Sequence, residues 1–336
     1  MKVTNRTGLV KLSVSLGLSL LCIAIVASCA TRIEIPKHLK PVSQSSLMLL
    51  GKKKMKLQAP IFIRIFKQES ELEIWKKRRD GRFYHFKTYP ICTWSGELGP
   101  KRKQGDKQAP EGFYTVRNQQ MNPNSSFHLS FNLGYPNAYD RAHGRTGNFL
   151  MVHGKCTSAG CYAMTDPLIE EIYALAREAF EGGQEEIHVH AFPFRMTQEN
   201  MLRHIRSPEF MFWQRLKEGY DYFELTHMPP QIAVCDLQYH VNVSWEGGAP
   251  DATRACPALQ RMEIKPFFPV EGEEELAQQR ITVAGVKKRR SFVSKFSNTV
   301  PAYGLSQRGD PSAMGPNVPQ DAIGAFIRLS SPAAQQ

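Results

Sequence analysis

From Pro60 to Gly154 the chain is written in short apolar-rich runs, several with apolar residues at every second position, with turn formers between them. That period of two belongs to strands. In "IFIRIF", Ile61, Ile63 and Ile65 share one face, while Phe62 and Phe66 share the other with Arg64. A strand with two apolar faces needs cover on both sides. "ELEIWKK" and "RFYHFKTY" flank Arg79-Asp80-Gly81, and an Asp-Gly between alternating runs predicts a hairpin. Glycines and prolines from Gly96 to Gly112 mark a loop before the strand "FYTV". "FHLSFNL", a turn-rich stretch from Gly134 to Gly147, and "NFLMVHG" follow. The first half therefore reads as mainly β.

Helical periods appear later. Asp166 can cap, Pro167 suits the first turn, and Gly182-Gly183 ends a run in which Leu168, Ile169, Ile172, Leu175, Ala176, Ala179 and Phe180 fall on one stripe. "EEIHVHAFPF" returns to strand. Thr197 and Ser207-Pro208 open two more helices, the second ending at Gly219, and "QIAVCDLQYHVNVS" reads as a hairpin. The whole is α+β with β predominating. Residues 29–58 carry prolines, serines and lysines without a period and read as a tether. One domain is expected over 59–260, within the usual domain size. Residues 261–336 read as a low-complexity, disordered tail.

The N-terminus reads as a targeting segment. Lys2, Arg6 and Lys11 precede an apolar stretch from Leu12 to Val26, short for a membrane span. It ends in Val26-Ala27-Ser28-Cys29, which resembles a bacterial lipobox with Cys29 as the lipidated residue and 1–28 as the signal peptide. An ordinary signal peptide or an uncleaved anchor would also export the chain. Ala30 after Cys29 points to the outer membrane, facing the periplasm. The net charge of +12 suits an anionic partner. After export, anionic cell wall or phospholipid fits better than nucleic acid. The runs Lys52-Lys53-Lys54 and Lys287 to Arg290 read as solvated charge.

There are seven cysteines. Without Cys22 and Cys29, five remain: Cys92, Cys156, Cys161, Cys235 and Cys256. An odd count in an oxidising compartment leaves one thiol unpaired within the chain. Cys235 and Cys256 lie close enough in sequence to bridge. Cys92 with Cys156 would be a second pair, leaving Cys161 alone, but spacing does not decide connectivity.

The segment "VHGKCTSAGCYAM", Val152 to Met164, concentrates the chemistry. Zinc is one reading, with His153, Cys156, Cys161, His188 and His190 as ligand types, but His188 and His190 alternate along a strand as ordinary sheet residues do. A Cys156–Cys161 disulfide is another, closing a very small loop that gives Ser158 and Gly160 no reason. The third is a nucleophile. A cysteine attacks as thiolate, and a histidine that takes its proton activates it. His153 ends a strand, Cys161 follows a short loop, and Gly160 lets the backbone bend there. The N–H groups around Cys161 and Tyr162 could face an oxyanion, and Ser158 could tie down the loop. Such a pair needs no metal or cofactor.

His-Gly, then Ser-x-Gly-Cys, then Met resembles the signature of the L,D-transpeptidase (YkuD-type) family. "GDKQAPEGFYTV" is similar to another segment of that family. "KTYPICTWSGELGPK", "SFNLGYPNAYDR", "MVHGKCTSAGCYAMTD" and "HVHAFPFRMT" resemble its YafK-type branch, so the likeness spans roughly residues 60–200. The resemblance implies a β-sandwich or barrel-like core with flanking helices. It implies Cys161 as nucleophile, His153 as general base, and Gly154, Ser158 and Gly160 as framework. It implies action on peptidoglycan stem peptides, through a thioester with the L-centre of diaminopimelate that passes to an amine or to water. Within that branch, release of an outer-membrane lipoprotein from peptidoglycan is a known activity. Two positions depart from the pattern: Ala159 stands where a histidine is usual, and Ala163 where an arginine often follows. Tyr135, Asp140, Arg141 and Arg145 are candidates to replace that arginine against substrate; otherwise they are a turn-rich loop. A wall-binding lipoprotein with a degenerate site is the reading from a different class.

Overall fold

The computed structural model describes residues 34–268. The expected signal segment, Cys29 and most of the expected tail lie outside the described residues.

Two five-stranded sheets form the centre. The first is built from β1 (Ile61–Phe66), β2 (Glu71–Lys77) and β3 (Phe83–Pro90). The second begins with β4 (Thr93–Trp94). Then come β5 (Gly112–Arg117), β6 (Met121–Asn122), β7 (Ser130–Asn132), β8 (Met151–His153), β9 (Tyr162–Ala163) and β10 (Glu186–Phe192). The first sheet runs β3-β2-β1-β10-β5, with β1 and β10 parallel; the second runs β4-β9-β8-β7-β6, with β8 and β9 parallel. β2 and β3 make the expected hairpin, its turn relieved by Gly81 at φ 85°. The helices are α1 (Gln44–Lys52), α2 (Ala138–Ala142), α3 (Asp166–Glu181), α4 (Gln198–Arg203) and α5 (Phe210–Thr226).

Both faces of β1 are buried, as its sequence requires. Ile61, Ile63 and Ile65 join Val152, Tyr162, Met164 and the α3 residues Ile169, Ile172 and Leu175 in the larger core. Phe66 packs with Trp213, Leu216 and Tyr220 of α5 in a second core. The first sheet is thus the middle layer. Arg64, on the α5 side and 1% exposed, pairs with Glu224 at 2.7 Å and lies over the ring of Tyr220.

Three sequence expectations change. Gly219 does not end its helix. α5 runs through it, and a Cβ there would meet Phe113 Cζ at 2.6 Å, so glycine is present for close packing of helix on sheet. The tether reading of 29–58 fails from the forties onward. Ser43 caps α1, Val42, Leu50 and Met55 are buried, and Lys53 donates to the carbonyls of His85 and Phe86, both at 2.9 Å. Lys53 is therefore not solvated charge; burial lowers its pKa to about 8. The tail is ordered at its start. Gln260–Arg261 pairs with Val243–Ser244, and Phe267 stacks on His227 with ring centroids 4.1 Å apart. β11 (Ile232–Cys235) and β12 (Gln238–Val241) form the hairpin read from sequence.

Candidate active site

The parallel pairing of β8 and β9 sets Val152 beside Tyr162 and His153 beside Ala163. Extending that register one step sets Cys161 beside Met151. Side chains alternate along strands, so Met151, His153, Cys161 and Ala163 share one face. Cys161 and His153 are diagonal neighbours there, although eight positions apart in sequence.

His153 is 3% exposed and held from several sides. Its Nδ1 lies 2.7 Å from Gly154 O. A carbonyl only accepts, so Nδ1 carries the hydrogen and Nε2 keeps its lone pair. Burial lowers its pKa, and the bond to Gly154 offsets this in part. Phe127 lies against it with ring centroids 4.7 Å apart. Gly154 is closely surrounded: a Cβ there would meet Asp166 Oδ1 at 2.6 Å and both His128 Cβ and Phe127 O at 3.0 Å, so a larger residue would require these to move.

Cys161 Sγ accepts from Met151 N–H at 3.4 Å and faces Phe149 O at 3.8 Å. Burial raises the thiol pKa, against smaller downward pulls from Met151 N–H and the Lys101 ammonium. Both shifts favour the uncharged forms, thiol and neutral imidazole. Ser158 organises the turn before the thiol. Its hydroxyl donates to Cys161 O at 2.7 Å and accepts from Cys161 N at 3.1 Å. Gly160 follows the bend at φ 121°.

A profile of the L,D-transpeptidase catalytic domain family (YkuD) matches residues 61–184. Over 190 residues the chain is 46% identical to YafK of Escherichia coli (strain K12), a protein named for L,D-transpeptidase activity; the match takes in 56% of this chain and 77% of YafK. The YafK of Escherichia coli O157:H7 matches equally. This chain belongs to the L,D-transpeptidase family. Two solved structures show slighter likeness. The helical cell shape determining protein Pgp2 from Campylobacter jejuni is 16% identical, with a TM-score of 0.33, over 59% of this chain and 82% of Pgp2. Bd1075 of Bdellovibrio bacteriovorus is 20% identical, with a TM-score of 0.29, over 56% of this chain and 65% of Bd1075.

In this L,D-transpeptidase domain the cysteine alternatives part clearly. Disulfides join Cys92 to Cys156 and Cys235 to Cys256, and Cys161 is the unpaired thiol among the described residues. A Cys156–Cys161 bridge is therefore not formed. The zinc reading finds no cluster at His153 and Cys161. Among the described residues the trio with converging ligand atoms is Cys235, His240 and Cys256, two of them already joined to each other. His188 and His190 instead line a cavity of about 270 Å³ with Phe113 and Tyr239.

The oxyanion expectation changes too. The N–H of Cys161 is occupied by Ser158, and Tyr162 is a central-strand residue paired with both Val152 and Trp94. Its phenol donates to Pro110 O at 2.6 Å, so Tyr162 is framework in this state. Three of the four loop candidates are also framework. Asp140 is fully buried, bonded to Arg145 at 2.8 Å and to the Tyr114 hydroxyl at 3.2 Å. Arg145 lies over the rings of Tyr139 and Phe212. Tyr135 is buried, and its hydroxyl donates to Lys101 O at 3.3 Å. Desolvated groups bonded to one another are not presented to a ligand. Arg141 alone of the four is exposed, its guanidinium donating to Pro136 O.

Sequence reading missed Lys101 and the rings of Phe127 and Phe149. Lys101 is 4% exposed beside exposed Arg102 and Lys103, and it pairs with Asp106. Asp106 also accepts from the N–H groups of Arg102, Lys103 and Gln108, and its pKa falls to about 2. Phe149 is 67% exposed at φ 54°, next to the thiol. Nothing local in a basic run or a lone phenylalanine distinguishes such positions.

Proposed function

We propose that this protein is an exported cysteine enzyme of the cell wall, acting on peptidoglycan stem peptides, with Cys161 as nucleophile and His153 as general base. The observation that supports this most is the β8–β9 register, which brings thiol and imidazole to one face with Nε2 unprotonated. Nε2 takes the thiol proton as sulfur attacks the carbonyl on the L-centre of diaminopimelate. The tetrahedral intermediate collapses, the departing amine takes the proton from the imidazolium, and a thioester remains. An amine or water then attacks the thioester, with His153 again as base, and restores the thiol. Gly154, Ser158 and Gly160 keep the turn in shape. Arg141 is the remaining candidate for substrate contact.

Water is favoured as the final acceptor by two positions. Ala159 and Ala163 bring no charge beside the thiol, and Ala163 is fully buried. That supports hydrolysis, including release of a lipoprotein linked to the wall. Cys29 carries the lipid anchor that holds the enzyme at the outer membrane on its periplasmic side. The net charge of +12 suits contact with anionic wall.

The test is mass spectrometry of peptidoglycan fragments after incubating sacculi, with and without covalent lipoprotein, with the protein and with Cys161→Ala. Cys161-dependent release without new cross-links supports the hydrolase, and new Cys161-dependent cross-links support the transferase. Full activity of Cys161→Ala removes the nucleophile reading. Sacculus binding with no Cys161-dependent chemistry leaves the wall-binding lipoprotein.

A further inference from the structure

Cys92 and Cys156 are 64 positions apart in sequence and joined by a disulfide, with Cα atoms 5.3 Å apart. Cys156 sits in the segment that leaves His153 and leads to Cys161. Directly after Gly154 that segment passes through two left-handed residues that are not glycine, Lys155 at φ 62° and Cys156 at φ 46°. Such backbone persists only where its surroundings hold it. Cys156 N–H donates to Met164 O at 3.1 Å, reaching across the end of β9. From there the sulfur continues to Cys92, whose own N–H donates to Ala163 O at 2.9 Å. The bridge thus binds the end of β8 to the far side of β9. His153 is the last residue of β8, and Cys161 immediately precedes β9. These strands are two or three residues long, so few ladder bonds hold their alignment.

We propose that the Cys92–Cys156 disulfide is a positioning device for the Cys161–His153 pair, and that a dithiol reductant that opens it slows the reaction. The proposal rests on the reading of Cys161 as nucleophile. Both bridge cysteines are exposed, whereas Cys235 of the other bridge is fully buried, so a reductant reaches Cys92–Cys156 first. One thiolate of the reductant attacks a bridge sulfur and expels the other as thiolate. The second thiol of the reductant then resolves the mixed disulfide. The bridge gains two electrons and two protons, and the reductant leaves as a disulfide. Cys161 is not consumed.

The experiment compares the unmodified protein with Cys92→Ser/Cys156→Ser, Cys235→Ser/Cys256→Ser and Cys161→Ala. Turnover is measured on muramidase-solubilised peptidoglycan, and the rate of Cys161 alkylation by iodoacetamide is followed against pH. The first double variant is expected to lose about tenfold or more in kcat with KM nearly unchanged, as misplaced reacting groups do, and to shift its alkylation profile. The second is expected to lose thermal stability and keep both kcat and profile, which separates positioning from a general effect of losing a bridge. Unchanged kcat and profile in the first double variant, with Cys161→Ala inactive, overturns the positioning role and leaves the nucleophile reading standing. An active Cys161→Ala overturns both. Should the first double variant not fold, the unmodified protein is titrated with dithiothreitol, and reduced Cys92 and Cys156 are counted by mass spectrometry. Activity that falls with that fraction and returns on reoxidation supports the proposal; constant activity at full reduction of the bridge overturns it.

Discussion

The two sheets are built on different principles. Strands of the first run six to eight residues, and β1 at its centre is buried on both faces. Strands of the second run two or three residues; His153 ends one of them and Cys161 immediately precedes another. The first is held by long ladders and apolar packing. The second shares the larger core through Val152, Tyr162 and Phe131 but has short ladders, and it is pinned further by one disulfide, a serine hydroxyl and a histidine bonded to backbone. Substitutions at the Cys161–His153 pair and at the centre of the first sheet should therefore have different signatures.

The largest effect belongs to the second sheet. Cys161→Ala should lower turnover by about 10⁴-fold, the scale of losing a nucleophile from a catalytic unit, while the melting temperature stays close to that of the parent. Peptidoglycan digestion and a thermal melt together check this. Ile63→Ala in the first sheet should do the opposite. Ile63 is 1% exposed in the larger core, and its truncation should cost about 2–5 kcal/mol by urea unfolding, with turnover per folded molecule unchanged. A large fall in kcat there would show the two sheets to be coupled.

The two bridges sharpen the comparison further. Chain entropy assigns about 4 kcal/mol to Cys92–Cys156 and about 3 kcal/mol to Cys235–Cys256 from the lengths of their loops. Unfolding of the two double serine variants should differ by about 1 kcal/mol in that order. Their difference in turnover should be larger than this small difference in stability suggests.

The pH profile tests the resting state of the pair. Burial holds the His153 pKa below the ordinary imidazole value of 6.5 and the Cys161 pKa above the ordinary thiol value of 9.0. The acid limb of kcat/KM should therefore fall below pH 6.5 and the alkaline limb above pH 9, with a plateau between. Alkylation of Cys161 that stays fast well below pH 6.5 would reveal a thiolate–imidazolium pair instead. The smallest effect is that of Asp106→Asn. The folded pKa of Asp106, about 2, lies below the ordinary aspartate value of 3.8, so its contribution is present above about pH 4 and lost as pH falls through about 2. The stability gap between variant and parent should close over that window, as read by acid unfolding.

What local chemistry specifies was legible in the chain. Asp80-Gly81 gave away the hairpin, since a turn depends on its own residues. The stripe from Leu168 to Phe180 marked α3, displaced by one position because Thr165, rather than Asp166, precedes the helix. The spacing of His153, Ser158, Gly160 and Cys161 marked the candidate site, because the turn that joins two short strands is itself local. Gly219 misled because a glycine at a helix end and a glycine against a facing ring look alike in one dimension. α1 was missed because nine residues, with Gly51 near the end, show too little period to stand out.

By its sequence alone this protein is a mainly β chain with a two-faced strand at its centre and a Cys–His segment between two strands, because alternation and turn preference act over a few residues. Only the tertiary structure decided that Cys156 joins Cys92 and leaves Cys161 unpaired. It also decided that Asp140 and Arg145 face each other inside the protein, and that Lys101 lies buried near the thiol. Each of those depends on which segments become neighbours across the sheets, and pairing over long separations is set by the packing of the whole core.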